Sequence, residues 1–136
     1  MGKIATDRDW EKYRYLFMMH VNLKLVEQHL RLGVKWDKQV AYFYNAPWKK
    51  QNLESLKTAE TCYNTALHYW NEAKIWAEKA NVREFKFLFL TDLQNWEDER
   101  ERIATGDLNY ERTISRELAR LEKVRSDFLS MDQNTY

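Results

Sequence analysis

Apolar residues recur at steps of three and four along most of the chain, and this spacing predicts helices. The most regular stretch lies between positions 47 and 80, where large side chains alternate with alanine on one face. That face comprises Leu56, Ala59, Tyr63, Ala66, Trp70, Ala73, Ala77 and Ala80. A seven-residue repeat of this length is typical of a helix that packs along a partner helix. We therefore expect one long helix to organise a bundle.

A first helix is expected from Asp7 to Leu32, because two sets of apolar residues follow the helical period on roughly opposite sides. One face contains Leu16, Met19, Leu23, Val26 and Leu30, and the other contains Trp10, Tyr13, Phe17, Val21, Leu25 and Leu32. A helix with two apolar faces lies between layers or is covered on one side by another copy. We expect Gly33 to end this helix and Asp37 to cap a short helix after it.

Two more helices are expected in the second half of the chain. Positions 82–104 place Val82, Phe85, Phe89, Leu93 and Trp96 on one helical face, although residues 85–90 also alternate as in a strand. Gly106 is expected to end this helix and Asp107 to cap the next. The apolar face of that last helix contains Tyr110, Ile114, Leu118, Leu121, Val124 and Phe128.

These elements predict an all-α, antiparallel helical bundle of about four long helices plus one short connector helix. Short connections between helices favour antiparallel neighbours, and Pro47 fits the first turn of the long helix. We expect a single domain over positions 1–136, with frayed ends at 1–6 and 131–136. One proline and three glycines in 136 residues agree with long, uninterrupted helices.

Composition and charge narrow the class of protein. Cys62 is the only cysteine, which excludes an intrachain disulfide and favours a reducing, cytoplasmic location. No apolar run is long enough to span a bilayer. The net charge is +1, but the N-terminal part is basic and the C-terminal part acidic. Such polarity suits head-to-tail assembly of copies or pairing of the two ends within one bundle.

Two residue groups resemble ligand sets but have simpler explanations. Met18, Met19 and His20 stand together, yet on a helix the methionines fall on two apolar sides with the histidine between them. His68 and Glu72 are four residues apart, which suits a surface pair. The Glu-x-x-His and His-Glu-x-x-His motifs of metal sites do not occur. We therefore expect no bound metal or cofactor.

Aromatic residues and lysines crowd the connector before the long helix. These aromatic residues are Trp36, Tyr42, Phe43, Tyr44 and Trp48. Since tryptophan and tyrosine anchor protein interfaces, the connector is a candidate contact surface. Stacking on single-stranded bases is a second interpretation, and packing against one end of the bundle is a third.

The last helix carries a cationic stripe, which consists of Arg112, Arg116, Arg120 and Lys123. Evenly spaced cations can follow the phosphates of a nucleic acid. Neighbouring acidic residues explain the same stripe by ion pairs within the protein.

The sequence contains no pairing of nucleophile and base, no glycine-rich phosphate loop and no Gly-x-Ser-x-Gly motif. We therefore expect a non-enzymatic structural or adaptor subunit that acts through protein–protein contacts and self-associates. A nucleic-acid-associated protein that uses the stripe and the connector is the first alternative. A cofactor- or metal-binding helical bundle is the second.

Overall fold

The computed structural model of the protein describes residues 7–40, 49–81 and 91–130. These ranges contain four α-helices. They are α1 (Asp7–Val34), α2 (Lys49–Ala80), α3 (Thr91–Thr105) and α4 (Tyr110–Ser130), and α1 continues as a π-helical segment, Lys35–Val40. The described ranges contain no strand, and the predicted all-α helical bundle is confirmed. Positions 82–90, for which the pattern allowed helix or strand, lie outside the described residues.

The described chain packs as two compact units, and α1 and α2 each contribute to both. Unit 1 consists of Met1–Leu25 and Tyr69–Asn109, and unit 2 consists of Val26–His68 and Tyr110–Tyr136. The single domain expected over 1–136 and the antiparallel order of its helices stay predictions. Among the described helices, none combines the length and apolar character needed to cross a membrane.

The alanine and aromatic face of α2 lies in the core. All eight residues assigned to it are buried, and none is more than 4% exposed. Small residues let neighbouring helices approach closely, while Tyr63 and Trp70 fill the space beside them. The prediction of a buried face along α2 is therefore confirmed.

The two apolar faces of α1 differ sharply in burial. Four residues of the first face (Leu16, Met19, Leu23 and Val26) are at most 1% exposed, and Leu30 is half-buried. On the second face, Trp10 is 57% exposed and Phe17 is 45% exposed. The described part of the chain therefore buries one face of α1. On the other face Trp10, Phe17 and Leu32 are exposed, and Tyr13, Val21 and Leu25 are half-buried.

The end of α1 differs from the sequence-based prediction at two residues. Gly33 does not end the helix, because α1 runs through it to Val34 and its backbone does not adopt a positive φ. Asp37 does not cap a new helix, because the chain is already helical before it. Both residues are explained by contacts with α2 and α4 in unit 2, which a local pattern does not reveal.

The connection between α3 and α4 turns at Gly106, which has a φ of 82° and ends α3 as predicted. Its N–H donates to the carbonyl of Ile103, and the N–H of Leu108 donates to the carbonyl of Arg102. Asp107 does not cap α4, which begins three residues later. Its carboxylate instead accepts a hydrogen bond from Nε of Arg102 at 3.2 Å.

Candidate interaction surface

Among the described residues of unit 1, two of the three exposed large apolar side chains, Trp10 and Phe17, lie on one side of α1. We call it the outer surface of α1 and define it by Trp10, Arg14, Phe17, Val21 and Lys24. At about 100° per residue these positions share a stripe about 80° wide. Trp10, Arg14, Phe17 and Lys24 are exposed and Val21 is half-buried. The stripe lies opposite the buried face of the same helix.

Trp96 of α3 extends this surface sideways. Its ring stacks on His20 with a centroid separation of 5.2 Å, and it contacts the rings of Phe17 at 5.8 Å and Tyr13 at 5.9 Å. Trp10 packs edge-on against Tyr13 at 5.9 Å. Such aromatic pairs each contribute about 0.5–1.5 kcal/mol beyond their burial. The exposed rings are therefore held by partly buried ones.

Ion pairs fix α3 beside this stretch of α1. Lys12, which is only 3% exposed, places its Nζ 2.8 Å from Oε2 of Glu97. Glu97 also pairs with Arg100, and Nη1 of Arg100 donates to Oδ1 of Asn81 at 2.6 Å. A buried lysine needs a partner of opposite charge, because desolvation of an unpaired ammonium is costly. This set of contacts keeps the aromatic residues of unit 1 in one arrangement.

The methionine and histidine group of α1 takes part in packing. Met19 is fully buried in the core and Met18 is half-buried. Nδ1 of His20 forms a hydrogen bond with Oε1 of Glu99 at 2.8 Å while its ring stacks on Trp96. The sequence grouped these residues correctly on a helix but gave no sign that Trp96 would cover His20.

Unit 2 contains a polar cluster, built around two buried residues, that sequence analysis did not find. Its members are Asp37, Tyr63, Glu117 and Arg120. Asp37 is fully buried, and its Oδ2 accepts hydrogen bonds from the hydroxyl of Tyr63 at 2.5 Å and from Nη2 of Arg120. The same Nη2 donates to Oε2 of Glu117 at 2.9 Å. The cluster therefore joins the π-helical segment, α2 and α4.

The electrostatics of this cluster favour a neutral tyrosine. Burial, together with the hydrogen bond to Asp37 and the nearby carboxylates, raises the pKa of Tyr63 well above its ordinary value. Burial alone lowers the pKa of Arg120, but its hydrogen bonds and charge contacts with Glu117 and Asp37 outweigh this effect and raise it. The raised pKa values keep Tyr63 neutral and Arg120 charged inside unit 2.

This arrangement predicts a stability difference that depends on pH. Tyr63→Phe should lower the free energy of unfolding by about 1–2 kcal/mol at neutral pH, because the donor to Asp37 is lost. Because the pKa of Tyr63 is raised in the folded state, unfolding releases its proton above about pH 10, and stability falls there by about 1.4 kcal/mol per pH unit.

The variant has no such group, so the stability gap between the two proteins should narrow above that pH. Urea unfolding of both proteins at neutral and alkaline pH measures this gap. A gap that stays constant or widens contradicts the protonation state assigned to Tyr63.

The residues singled out from sequence fall into three groups. Arg112, Arg116 and Lys123 are exposed on α4, whereas the guanidinium of Arg120 contacts Asp37 and Glu117. Trp36 is half-buried in the π-helical segment. The other four connector residues, Tyr42, Phe43, Tyr44 and Trp48, lie outside the described residues.

The possible metal ligands are not brought together. His68 is exposed and Glu72 is half-buried on α2. Within the described ranges, no group of three or more histidine, cysteine, aspartate or glutamate side chains is placed to hold a metal ion.

Fold and surface together define a helical-bundle protein with an exposed aromatic face on its first helix. The chain belongs to the family described as "Domain of unknown function (DUF8513)", which matches residues 8–131. No curated protein and no solved structure matches the chain. The family match thus covers all four helices except the first residue of α1, and its description names no activity.

Proposed function

We propose that the protein is a non-enzymatic helical subunit that acts through protein–protein contacts and self-associates through the outer surface of α1. The observation that supports this most strongly is the exposure of Trp10 and Phe17 on a helix whose opposite face is buried from Leu16 to Val26. Full burial of an exposed apolar side chain contributes about 1.5–3 kcal/mol, and these two rings, about half exposed, can contribute part of that each. Large aromatic residues are also the commonest anchors of protein interfaces.

The packing beneath this surface supports the same proposal. Trp96 packs beside Phe17, and the pairs Lys12–Glu97 and His20–Glu99 hold α3 in place. A surface that is already ordered loses less conformational entropy when it binds. The outer surface of α1 is therefore suited to binding without rearrangement.

Two further parts of the sequence-based expectation belong to this proposal. We place the protein in the cytoplasm, on the support of a single cysteine, Cys62, that has no disulfide partner. We favour protein over nucleic acid as the partner, because one of the four stripe cations, Arg120, is engaged by Asp37 and Glu117. The other three cations of that stripe, Arg112, Arg116 and Lys123, have acidic neighbours in the sequence.

Self-association is tested by a pair of substitutions with a matched control. The variant Trp10→Ser/Phe17→Ser should stay a monomer at micromolar concentration, where the native chain forms a dimer, because it removes both exposed rings. Ile75 is 47% exposed on α2 and lies outside the surface, so Ile75→Ser should dimerise like the native chain. Light scattering coupled to size-exclusion chromatography gives the mass of each protein.

Two results contradict the proposal. One is a native chain that is monomeric at every accessible concentration. The other is a doubly substituted chain that keeps the mass of the native protein. Circular dichroism confirms that the variants retain their helices, so a loss of dimer is not a loss of fold.

A further inference from the structure

We propose that the outer surface of α1 packs against the outer surface of α1 in a second copy. The two helices run antiparallel, and Trp10 of each copy contacts Lys24 of the other. This inference rests on the proposed function and adds the orientation and the contacts of the pair. It follows from the order of residues along the surface, from their charges and from contacts that the protein already makes within its own chain.

The order of residues makes the outer surface of α1 complementary to the same surface on an antiparallel second copy. Phe17 lies seven positions after Trp10 and seven before Lys24, so the three residues occupy equivalent places on successive double turns of the helix. An antiparallel pairing that overlaps the whole surface places position 17 opposite itself and position 10 opposite position 24. The aromatic end of each copy then meets the cationic end of the other.

Charge favours this orientation over a parallel one. The five residues that define the outer surface of α1 include two cations, Arg14 and Lys24, and no carboxylate. Parallel, in-register pairing would set Lys24 against Lys24 and Arg14 against Arg14, and like charges that face each other oppose association. Antiparallel pairing sets Lys24 against the face of an indole ring, which attracts a cation.

The protein already uses this contact twice within α2. Nζ of Lys79 lies 4.7 Å from the ring centroid of Trp76, and Nζ of Lys74 lies 5.9 Å from that of Trp70. Lysine over tryptophan is therefore a contact that helices of this chain form. In the proposed pair it occurs twice, once at each end of the shared surface.

The size of the surface sets the expected strength. Positions 10 to 24 of a helix span about 21 Å, so the interface is smaller than that of a standard stable complex. A dissociation constant in the micromolar range is therefore expected.

A swap of the two end residues tests the contact. Lys24→Glu and Trp10→Lys should each raise the dissociation constant of the dimer by roughly tenfold or more, because each removes both cation–aromatic contacts. The double variant Trp10→Lys/Lys24→Trp restores a lysine opposite a tryptophan at both ends. It should therefore recover an affinity within about threefold of the native value.

The swap separates this inference from the proposed function. A dimer that neither single substitution weakens, or one that the double substitution fails to recover, overturns the Trp10–Lys24 contact while self-association stands. A native chain that never dimerises overturns both. Binding of the native monomer to an acidic helix of another protein, with no dimer, would assign the surface to a different partner.

Cross-linking tests the antiparallel orientation independently. In a Cys62→Ser background, Phe17→Cys places a thiol next to its own copy at the centre of the pair. Gln28 lies on the same side of α1, but antiparallel pairing separates its two copies by about 33 Å, far beyond the reach of a disulfide. With oxidised glutathione, the chain carrying Phe17→Cys should form a covalent dimer and the chain carrying Gln28→Cys should not. Equal cross-linking of both chains, or of neither, contradicts the antiparallel pair.

Discussion

Replacing Arg120 by methionine is expected to lower the free energy of unfolding by about 3 kcal/mol. Methionine keeps much of the length of the side chain but removes the guanidinium that pairs with Asp37 and Glu117. Asp37 is fully buried, and of the donors that the described residues supply to its carboxylate, the hydroxyl of Tyr63 alone would remain. An uncompensated buried charge is among the most destabilising features that one substitution can create.

Urea unfolding followed by circular dichroism measures this loss, and α4 supplies a matched control. Arg116 is exposed one turn earlier, so Arg116→Met should change the stability by less than about 0.5 kcal/mol. Adding Asp37→Asn to Arg120→Met should recover part of the loss, because the unpaired charge is removed. Equal effects of the two arginine substitutions would show that Arg120 does not stabilise unit 2 through Asp37.

Replacing Gly33 by alanine is expected to destabilise the protein by about 2 kcal/mol, although alanine in a helix normally stabilises relative to glycine by about 1 kcal/mol. A Cβ at this position would lie 2.5 Å from Cε1 of Tyr63 and 2.8 Å from Cδ1 and Cζ of the same ring. The ring is fully buried and its hydroxyl is bound to Asp37, so it cannot move aside without breaking that hydrogen bond.

A double-variant comparison identifies the cause. With Tyr63→Leu already present, the phenol ring is gone, and adding Gly33→Ala should be neutral or stabilising. Thermal and urea unfolding of the four proteins give the coupling between the two positions. If Gly33→Ala by itself leaves the protein as stable as the native chain, the close approach of α1 to Tyr63 is not present in solution.

The helices and their buried faces were predictable because their signals are local. The repeat of alanine and large residues in α2 occurs within one helix, and every residue assigned to it is buried. The apolar face of α4 follows the same logic, with Ile114, Leu121 and Phe128 buried. The period of the pattern is enough to predict such a face, because burial on one side of a helix imposes that period directly.

The roles of Gly33, Asp37 and Arg120 were not predictable, because they depend on contacts between distant positions. Asp37 meets Tyr63 across 26 positions and Arg120 across 83. Local rules interpret a glycine near a helix end as a terminator and an aspartate after it as a cap. Here the close approach of a buried ring selects glycine, and two donors select a buried carboxylate.

The exposed surface of α1 was only half predictable. The sequence shows two apolar faces on the helix, and nothing in it distinguishes the face that the chain covers itself. The structure shows that Trp10 and Phe17 are on the uncovered side, and that Trp96 of α3 reaches its edge. The position of Trp96 depends on how α3 packs in unit 1, which hydrophobic periodicity does not encode.

The central claim is that the outer surface of α1 joins copies of the protein. The most direct test is to measure the mass of the unaltered chain in solution as a function of its concentration. Sedimentation equilibrium gives this mass without any substitution or label. We predict that it rises from one chain at low concentration towards two chains across the micromolar range. A mass of one chain at every concentration in that range would contradict the account.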